Sequence, residues 1–109
     1  MKLPNSKQAI ISREKLIGYC LNSEHNSGKH KARVFKAVLG ITSQNVKQLE
    51  VLIQQAALEG EVIQQSQTPF GIQFKVDWPV SGYENVILRT LWEITETQPN
   101  PRLISAFIK

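Results

Sequence analysis

Hydrophobic residues recur at helical spacing through the first sixty residues of the chain and at every second position after them. Ser12 is placed to cap a first helix over about residues 13–21. The inward-facing positions of this helix are predicted to be Leu16, Ile17 and Cys20. The composition of residues 22–28 is that of a loop, because Asn, Ser and Gly dominate it.

The second helix is predicted from about Lys29 to Leu39. Asn26 or Ser27 is expected to cap it, because both side chains can accept hydrogen bonds from the free amides of a first turn. Gly40 is expected to stop it, because glycine readily adopts the left-handed conformation that ends helices. The sequence therefore predicts eleven helical residues between a polar loop and a glycine.

The third helix is expected to begin after Thr42 or Ser43 and to end before Gly60. Its apolar stripe follows helical spacing at Val46, Leu49, Ile53 and Ala56 or Ala57. Residues 1–60 are thus predicted to be mainly helical.

From Glu61 the hydrophobic period changes to two, which predicts half-buried strands. Four strands are expected at Val62–Gln67, Ile72–Trp78, Val86–Ile94 and Arg102–Ile108. Helices followed by consecutive strands indicate a single α+β domain over residues 1–109. We expect about three helices on one face of a four-stranded antiparallel meander, with the other face available for a partner.

The composition fits one globular domain of 109 residues, 41% of them hydrophobic. Cys20 is the only cysteine, so no internal disulfide can form and a cytoplasmic location is expected. No apolar stretch after Lys2 is long enough for a signal peptide or a membrane anchor. No glycine-rich cofactor motif and no carboxylate pair occurs, so we expect no cofactor and a small-molecule enzyme is disfavoured. One cysteine and two histidines disfavour a zinc site, although carboxylates could complete one.

Charge is divided unevenly along the chain. Residues 1–49 hold nine Lys and Arg against two acids and sum to +7, whereas residues 50–109 hold four against seven and sum to −3. The stretch from His25 to Leu49 carries five basic residues, no acid and both histidines. This asymmetry favours RNA or another polyanion as a partner, although lysines that only keep the domain soluble would give the same charge. The oligomeric state is left open.

The basic residues of the second helix separate into two groups on a helical wheel. Lys29, Arg33 and Lys36 share one face, which is either solvated or a strip that meets phosphates. Lys31 lies instead near the middle of the apolar stripe, four residues before Phe35 and seven before Val38. Its amine must extend past the core edge, pair with a carboxylate, or point into a pocket near the sheet that suits a phosphoryl oxygen.

The histidines and two strand hydroxyls are the remaining candidates. His30 and His25, close to several cations, are expected to be neutral near pH 7 and able to accept a proton, or else to serve as capping or surface residues. Thr90 and Ser105 lie on otherwise apolar strand faces. They either bond neighbouring backbone or donate hydrogen bonds into a shared cleft, and Arg89 points to the face opposite Thr90.

Several segments of the chain resemble a small uncharacterised bacterial domain family, which recurs in cyanobacteria and beside filamentous-haemagglutinin-type or polymorphic toxin proteins. The segments are LPNSKQAIIS, KLIGYCLNSEHNSGKHKARVFKAVLGIT, RTLWEI and PRLISAF. The most specific pieces are the loop from His25 to Gly28 that leads to Lys31, and the pair Arg89-Thr90. The order of helices and strands is also similar to that of barnase, EndoU and RelE-type RNases.

This second resemblance implies metal-independent cleavage of RNA, in which the 2′-hydroxyl attacks the adjacent phosphate. It implies that His30 or His25 transfers protons and that Lys31 and Arg89 hold phosphoryl oxygens. Thr90 and Ser105 would donate hydrogen bonds, and Lys29 and Arg33 would contact the substrate. The alternative is a non-catalytic interaction module with a protein partner.

Overall fold

The computed structural model describes residues 1–26 and 28–109 of the chain. The helical elements are a short 3₁₀ turn at Ser6–Gln8, α1 (Arg13–Lys15) continued by a π-helical turn (Leu16–Cys20), α2 (Lys29–Leu39), a 3₁₀ turn (Ser43–Asn45) and α3 (Val46–Glu59). The strands are β1 (Glu61–Thr68), β2 (Gly71–Pro79), β3 (Ile87–Ile94) and β4 (Arg102–Ile108). The expected α+β class, with helices before an antiparallel sheet, is confirmed.

Helix boundaries follow the caps that the sequence predicted. The Ser12 hydroxyl accepts a hydrogen bond from the Lys15 amide at the start of α1. Gly40 ends α2 in the left-handed conformation, with a φ of 67°. Thr42 and Asn45 form a reciprocal capping box ahead of α3.

The start of α2 differs from the prediction. Gly28 occupies the cap position and has no side chain to accept a hydrogen bond. Part of the capping role passes to His25, whose carbonyl accepts from the Lys29 amide and whose Nδ1 accepts from the Gly28 amide. Asn26 is therefore not the cap, and Ser27 lies outside the described residues.

The sheet is an antiparallel meander in the order β1-β2-β3-β4. β2 pairs with β3 without a register shift, from Ile72 opposite Ile94 to Pro79 opposite Ile87. Register shifts occur in the other two pairings, between Val62 and Gln64 and between Leu91 and Trp92. Because cross-strand partners share a sheet face, this register fixes which side chains meet the helices.

The core lies between the helices and one sheet face. Its largest fully buried side chains include Trp92, Phe35, Leu16, Leu49, Ile53 and Leu88. α3 packs on β2 and β3, whereas α2 and the π turn pack on β4. Two residues assigned to apolar helix faces are largely exposed, Ile17 at 41% and Val38 at 38%. The buried strip of α2 runs instead through Ala32 and Phe35, and this places Lys31 at its margin.

Residues before α1 bond to both edge strands of the sheet, because the Val62 amide donates to the Met1 carbonyl and the Leu103 amide to the Ile10 carbonyl. Ile10 forms an isolated parallel bridge with Arg102. Among the described residues, no helix combines the length and the apolar character needed to cross a bilayer.

Candidate functional site

The Lys31 amine lies between α2, the π turn and β4. Its Nζ donates hydrogen bonds to the Tyr19 hydroxyl at 2.6 Å and to Ser105 Oγ at 3.3 Å. The same nitrogen is 4.7 Å from the centre of the Tyr19 ring and 5.1 Å from that of Phe107. The ammonium is thus held by two hydroxyls and two aromatic rings, which is a cation–π arrangement. We call Lys31, Tyr19, Ser105, Phe107 and His25 the Lys31 cluster.

The π turn places Tyr19 in this cluster. The Leu21 amide donates to the Leu16 carbonyl at 2.8 Å, a bond that spans five residues instead of four. Such a turn holds one residue more than an α-helical turn and rotates the side chains that follow it. Leu16 and Cys20 remain fully buried while the Tyr19 phenol turns toward α2. Burial also raises the pKa of the Cys20 thiol, so this side chain is a core residue.

His25 supports Tyr19. The two rings meet edge to face, with their centres 4.9 Å apart and their planes at 79°. His25 Nδ1 accepts the Gly28 amide at 3.0 Å, so the proton of the neutral ring resides on Nε2. A proton added at Nδ1 would break the bond to Gly28. The geometry therefore gives His25 a positioning role in this loop.

No carboxylate neutralises Lys31 among the described residues. The ion pairs of that part of the chain lie elsewhere and join the amino terminus and Lys2 to Glu61, Arg13 to Glu50, Arg89 and Lys109 to Asp77, and Arg102 to Glu93. An ammonium held only by neutral groups retains its full charge for an incoming anion. Of the three arrangements expected for Lys31, the carboxylate pair is therefore not found among the described residues, and the pocket for a phosphoryl oxygen stays a prediction.

Arg89 lies on the outer face of the sheet. Its guanidinium donates two hydrogen bonds to Asp77, at 2.7 and 2.9 Å. These bonds lower the pKa of the Asp77 carboxyl and raise that of Arg89. Arg89 is the cross-strand partner of Phe107, so it is next to the cluster but already paired.

Thr90 points to the opposite face, as its position in the strand predicted. It is fully buried, and its hydroxyl accepts the Trp92 indole N–H at 2.7 Å. A substrate cannot reach this hydroxyl, so the structure does not place Thr90 in the site. Trp92 is likewise fully buried in the core. Ser105 differs, because its hydroxyl faces Lys31 although the residue is only 5% exposed.

A separate concavity of about 330 Å³ lies on the other flank of α2. Lys29, Arg33 and Lys36 line it, as the helical wheel grouped them. The hydroxyl residues Ser23, Thr42 and Ser43 complete its polar rim. We call this the basic pocket. His30 is exposed on the first turn of α2 and belongs to neither group.

We also searched the described residues for side chains that could hold a metal ion. Within residues 1–26 and 28–109, no group of three or more His, Cys, Asp and Glu side chains is arranged to hold a metal ion. Cationic side chains are found both in the Lys31 cluster and in the basic pocket.

Sequence reasoning missed Tyr19 and Phe107. Tyr19 falls among Leu16, Ile17 and Cys20, where a regular helix would not direct it to α2, and no sequence signal marks a π turn. The clue available was the tyrosine itself, because a phenol beside buried residues usually has a hydrogen-bond partner.

The fold and the site together define a small α+β domain with an unneutralised lysine between two hydroxyls at the edge of its sheet. A family model described as Domain of unknown function (DUF6883) matches residues 2–109, so the chain belongs to that family. No curated protein matches it. One similar solved structure is a contact-dependent growth inhibition toxin–immunity protein complex from Klebsiella pneumoniae 342, with a TM-score of 0.68 and 11% identity over 96% of this chain and 97% of that one. This likeness establishes the fold alone.

Proposed function

We propose that this domain is a toxin-like, RNA-directed domain whose Lys31 cluster binds a phosphodiester and promotes its cleavage. The observation that carries the proposal is the Lys31 amine, 2.6 Å from a phenol and 3.3 Å from a serine hydroxyl, with no described carboxylate to neutralise it. A phosphate oxygen would find in one place a positive charge and two groups able to donate hydrogen bonds.

Tyr19 is suited to proton donation. Its oxygen accepts from the Lys31 ammonium, so its own O–H remains available to a second acceptor and is polarised by the first bond. Lys31 and Ser105 would hold the non-bridging phosphate oxygens as negative charge grows on them. His25 would keep the phenol in place through the edge-to-face contact.

The proposed step is transfer within the RNA. The 2′-oxygen forms a bond to phosphorus while the bond from phosphorus to the 5′-oxygen breaks. One product then ends in a 2′,3′-cyclic phosphate and the other in a 5′-hydroxyl. Tyr19 gives its proton to the 5′-oxygen, and His30, which lies outside the Lys31 cluster on the first turn of α2, would have to turn toward the substrate to accept the proton of the 2′-hydroxyl. Arg89 would assist from beside Phe107 only after release from Asp77.

The comparisons support this proposal at the level of fold. The similar solved structure contains a contact-dependent growth inhibition toxin together with its immunity protein. This supports a toxin-related setting for the fold, and the reactive site is proposed from the contacts of Lys31 alone.

The test is cleavage of mixed bacterial RNA by the purified chain in the presence of excess EDTA. We expect fragments with cyclic phosphate ends, and a loss of at least about a hundredfold in rate in Lys31→Met and Tyr19→Phe, the range typical of a lost proton donor or charge. Lys47→Met is the matched control, because Lys47 is exposed on α3 and outside the site. Intact RNA with the wild-type protein, or equal cleavage by Lys31→Met, would refute the catalytic role.

A second candidate function is a protein-interaction module without catalysis. It is favoured by one finding, namely that the similar solved structure is a complex of two proteins. In that case Lys31→Met leaves RNA untouched, as does the wild type, and the effect of the chain on cells depends on a protein partner instead.

A further inference from the structure

The basic pocket is lined by three cationic side chains and by no acidic one. Lys29, Arg33 and Lys36 all line one concavity of about 330 Å³, and no acidic residue shares the lining. Two exposed serines, Ser23 and Ser43, add hydroxyl donors at the rim. Cations and hydroxyls are the groups that proteins use to hold phosphate oxygens.

The charge of this pocket is not compensated within the described residues. None of its three cations forms an ion pair there, whereas Lys2, Arg13, Arg89, Arg102 and Lys109 each pair with an acid. The four acids that form these ion pairs, Glu50, Glu61, Asp77 and Glu93, all lie outside the lining of the pocket. Three cations thus share one concavity without an acid in its lining.

The positions of these cations on α2 are also unfavourable for the isolated helix. Lys29 lies in the first turn, where the helix dipole disfavours positive charge, and no acid is present in that turn. Arg33 follows Lys29 by four residues and Lys36 follows Arg33 by three, so each cation repels the next. A bound anion would relieve both effects, and this predicts that anions stabilise the fold.

The pocket and the Lys31 cluster lie on different flanks of the same helix. Lys31 and Arg33 are two residues apart and hence about 200° apart around the axis. The buried residues Ala32 and Phe35 separate them on the core side. On the solvent side, a chain that passes from one to the other must cross the width of a helix, about 10–12 Å.

The geometry points to a second phosphate site: the basic pocket binds the sugar–phosphate backbone of single-stranded RNA, a few nucleotides from the phosphodiester at Lys31. The pocket reads charge and not base identity, because its donors are cations and hydroxyls that suit phosphate oxygens. This inference rests on the proposed function for the identity of its polyanion, but not for cleavage.

The test measures binding of a 2′-O-methyl RNA oligonucleotide, which cannot be cleaved by attack of its own 2′-oxygen. Fluorescence anisotropy at several salt concentrations would compare the wild type with the triple variant Lys29→Gln, Arg33→Gln, Lys36→Gln. The matched control is Lys7→Gln, Lys47→Gln, Lys75→Gln, which removes the same charge from residues outside the pocket. Thermal unfolding of each variant would verify that it folds.

We expect the pocket variant to bind at least about tenfold more weakly at low salt, with a slope of log Kd against log salt reduced by roughly 2, since each lost phosphate contact removes about 0.7. The control should lose much less. Equal losses in both variants would overturn the inference, because they would indicate only general charge.

Two further arms identify the ligand. Inorganic phosphate that displaces the oligonucleotide at equal concentration would overturn the assignment to an RNA backbone and indicate free phosphate. Lys31→Met should weaken binding only by the one phosphate contact that it removes, and adding the pocket substitutions in that background should weaken it further. If the chain does not cleave RNA but its binding still depends on the pocket, only the proposed catalysis is refuted. If the chain cleaves RNA but its binding does not depend on the pocket, only this inference is refuted.

Discussion

Gly28 packs so closely against the backbone of Tyr19 that a β-carbon at residue 28 would overlap the Tyr19 carbonyl oxygen. The contact joins the start of α2 to the π turn, and these are the two segments that bring Lys31 and the Tyr19 phenol together. The absence of a side chain at this one position therefore supports the geometry of the whole cluster.

Gly28→Ala should destabilise the fold by about 1–3 kcal/mol, because the backbone atoms it meets cannot move aside as a flexible side chain would. Urea unfolding would measure the change. Gly18→Ala is the control, since a β-carbon there meets nothing within 4 Å. That substitution should be neutral or slightly stabilising. Equal stability of the two variants would show that α2 adjusts without cost.

Lys31→Met should change the free energy of unfolding by less than about 1 kcal/mol. The substitution removes a charge that has no described carboxylate partner and places an apolar chain between the Tyr19 and Phe107 rings. The cost of the hydrogen bond lost by Ser105 offsets this gain. A loss of several kcal/mol, measured by urea unfolding, would mean that Lys31 serves the fold more than the chemistry.

The Asp77–Arg89 pair should make the fold sensitive to acid. Hydrogen bonds from Arg89 lower the pKa of Asp77, and Lys109 lies 3.7 Å away. A lowered pKa in the folded state gives stability that is complete above the ordinary value, about 4, and is lost as pH falls through the lowered one. We expect the free energy of unfolding to decrease below about pH 4 in the wild type.

The matched comparison uses two carboxylates. Asp77→Asn should flatten the decrease below pH 4 and cost about 1–3 kcal/mol at pH 7, the range for a charged hydrogen bond. Glu61→Gln should change the profile much less, because Glu61 is exposed, although Lys2 lowers its pKa too. If Asp77→Asn lost stability below pH 4 as steeply as the wild type, the Asp77–Arg89 pair would be excluded as the cause of that loss.

Thr90→Val should destabilise the protein by about 1–3 kcal/mol, because the buried Trp92 indole N–H loses its acceptor. Valine preserves the shape, so the loss reports the hydrogen bond. If Thr90→Val lowers the rate of RNA cleavage, the loss should equal the loss in the fraction of protein that is folded. Full stability with lost cleavage would instead place Thr90 in contact with substrate.

The arrangement of elements could be predicted from the sequence because local signals agree with the fold. Ser12 and Gly40 mark helix ends, and alternation from Ile72 to Trp78 marks a strand that pairs without a shift. The contacts of the site could not be predicted in the same way. Lys31 meets Tyr19 and Ser105, which are 12 and 74 positions away, and only the tertiary packing determines that meeting.

Arg89 and Thr90 illustrate the same limit. Their opposite directions follow from the period of a strand, but the partners that occupy them do not. The Arg89 guanidinium donates to Asp77 on the neighbouring strand β2. The Thr90 hydroxyl accepts from the indole of Trp92, two residues further along β3. Arg89 and Thr90, although adjacent in sequence, therefore take part in two separate structural contacts and do not line one cleft together.

The π turn at Leu16–Cys20 has a consequence for how this architecture can change over time. Each residue of a helix turns the chain by about 100°, so loss of one residue from the turn, such as the exposed Gly18, would restore regular winding and swing the phenol away from the amine. A single-codon deletion would thus remove the phenol from the proposed site without removing the fold that carries it. Two chains with this fold can therefore differ in activity, and the number of residues in the turn at Leu16–Cys20 is the first feature to compare between them.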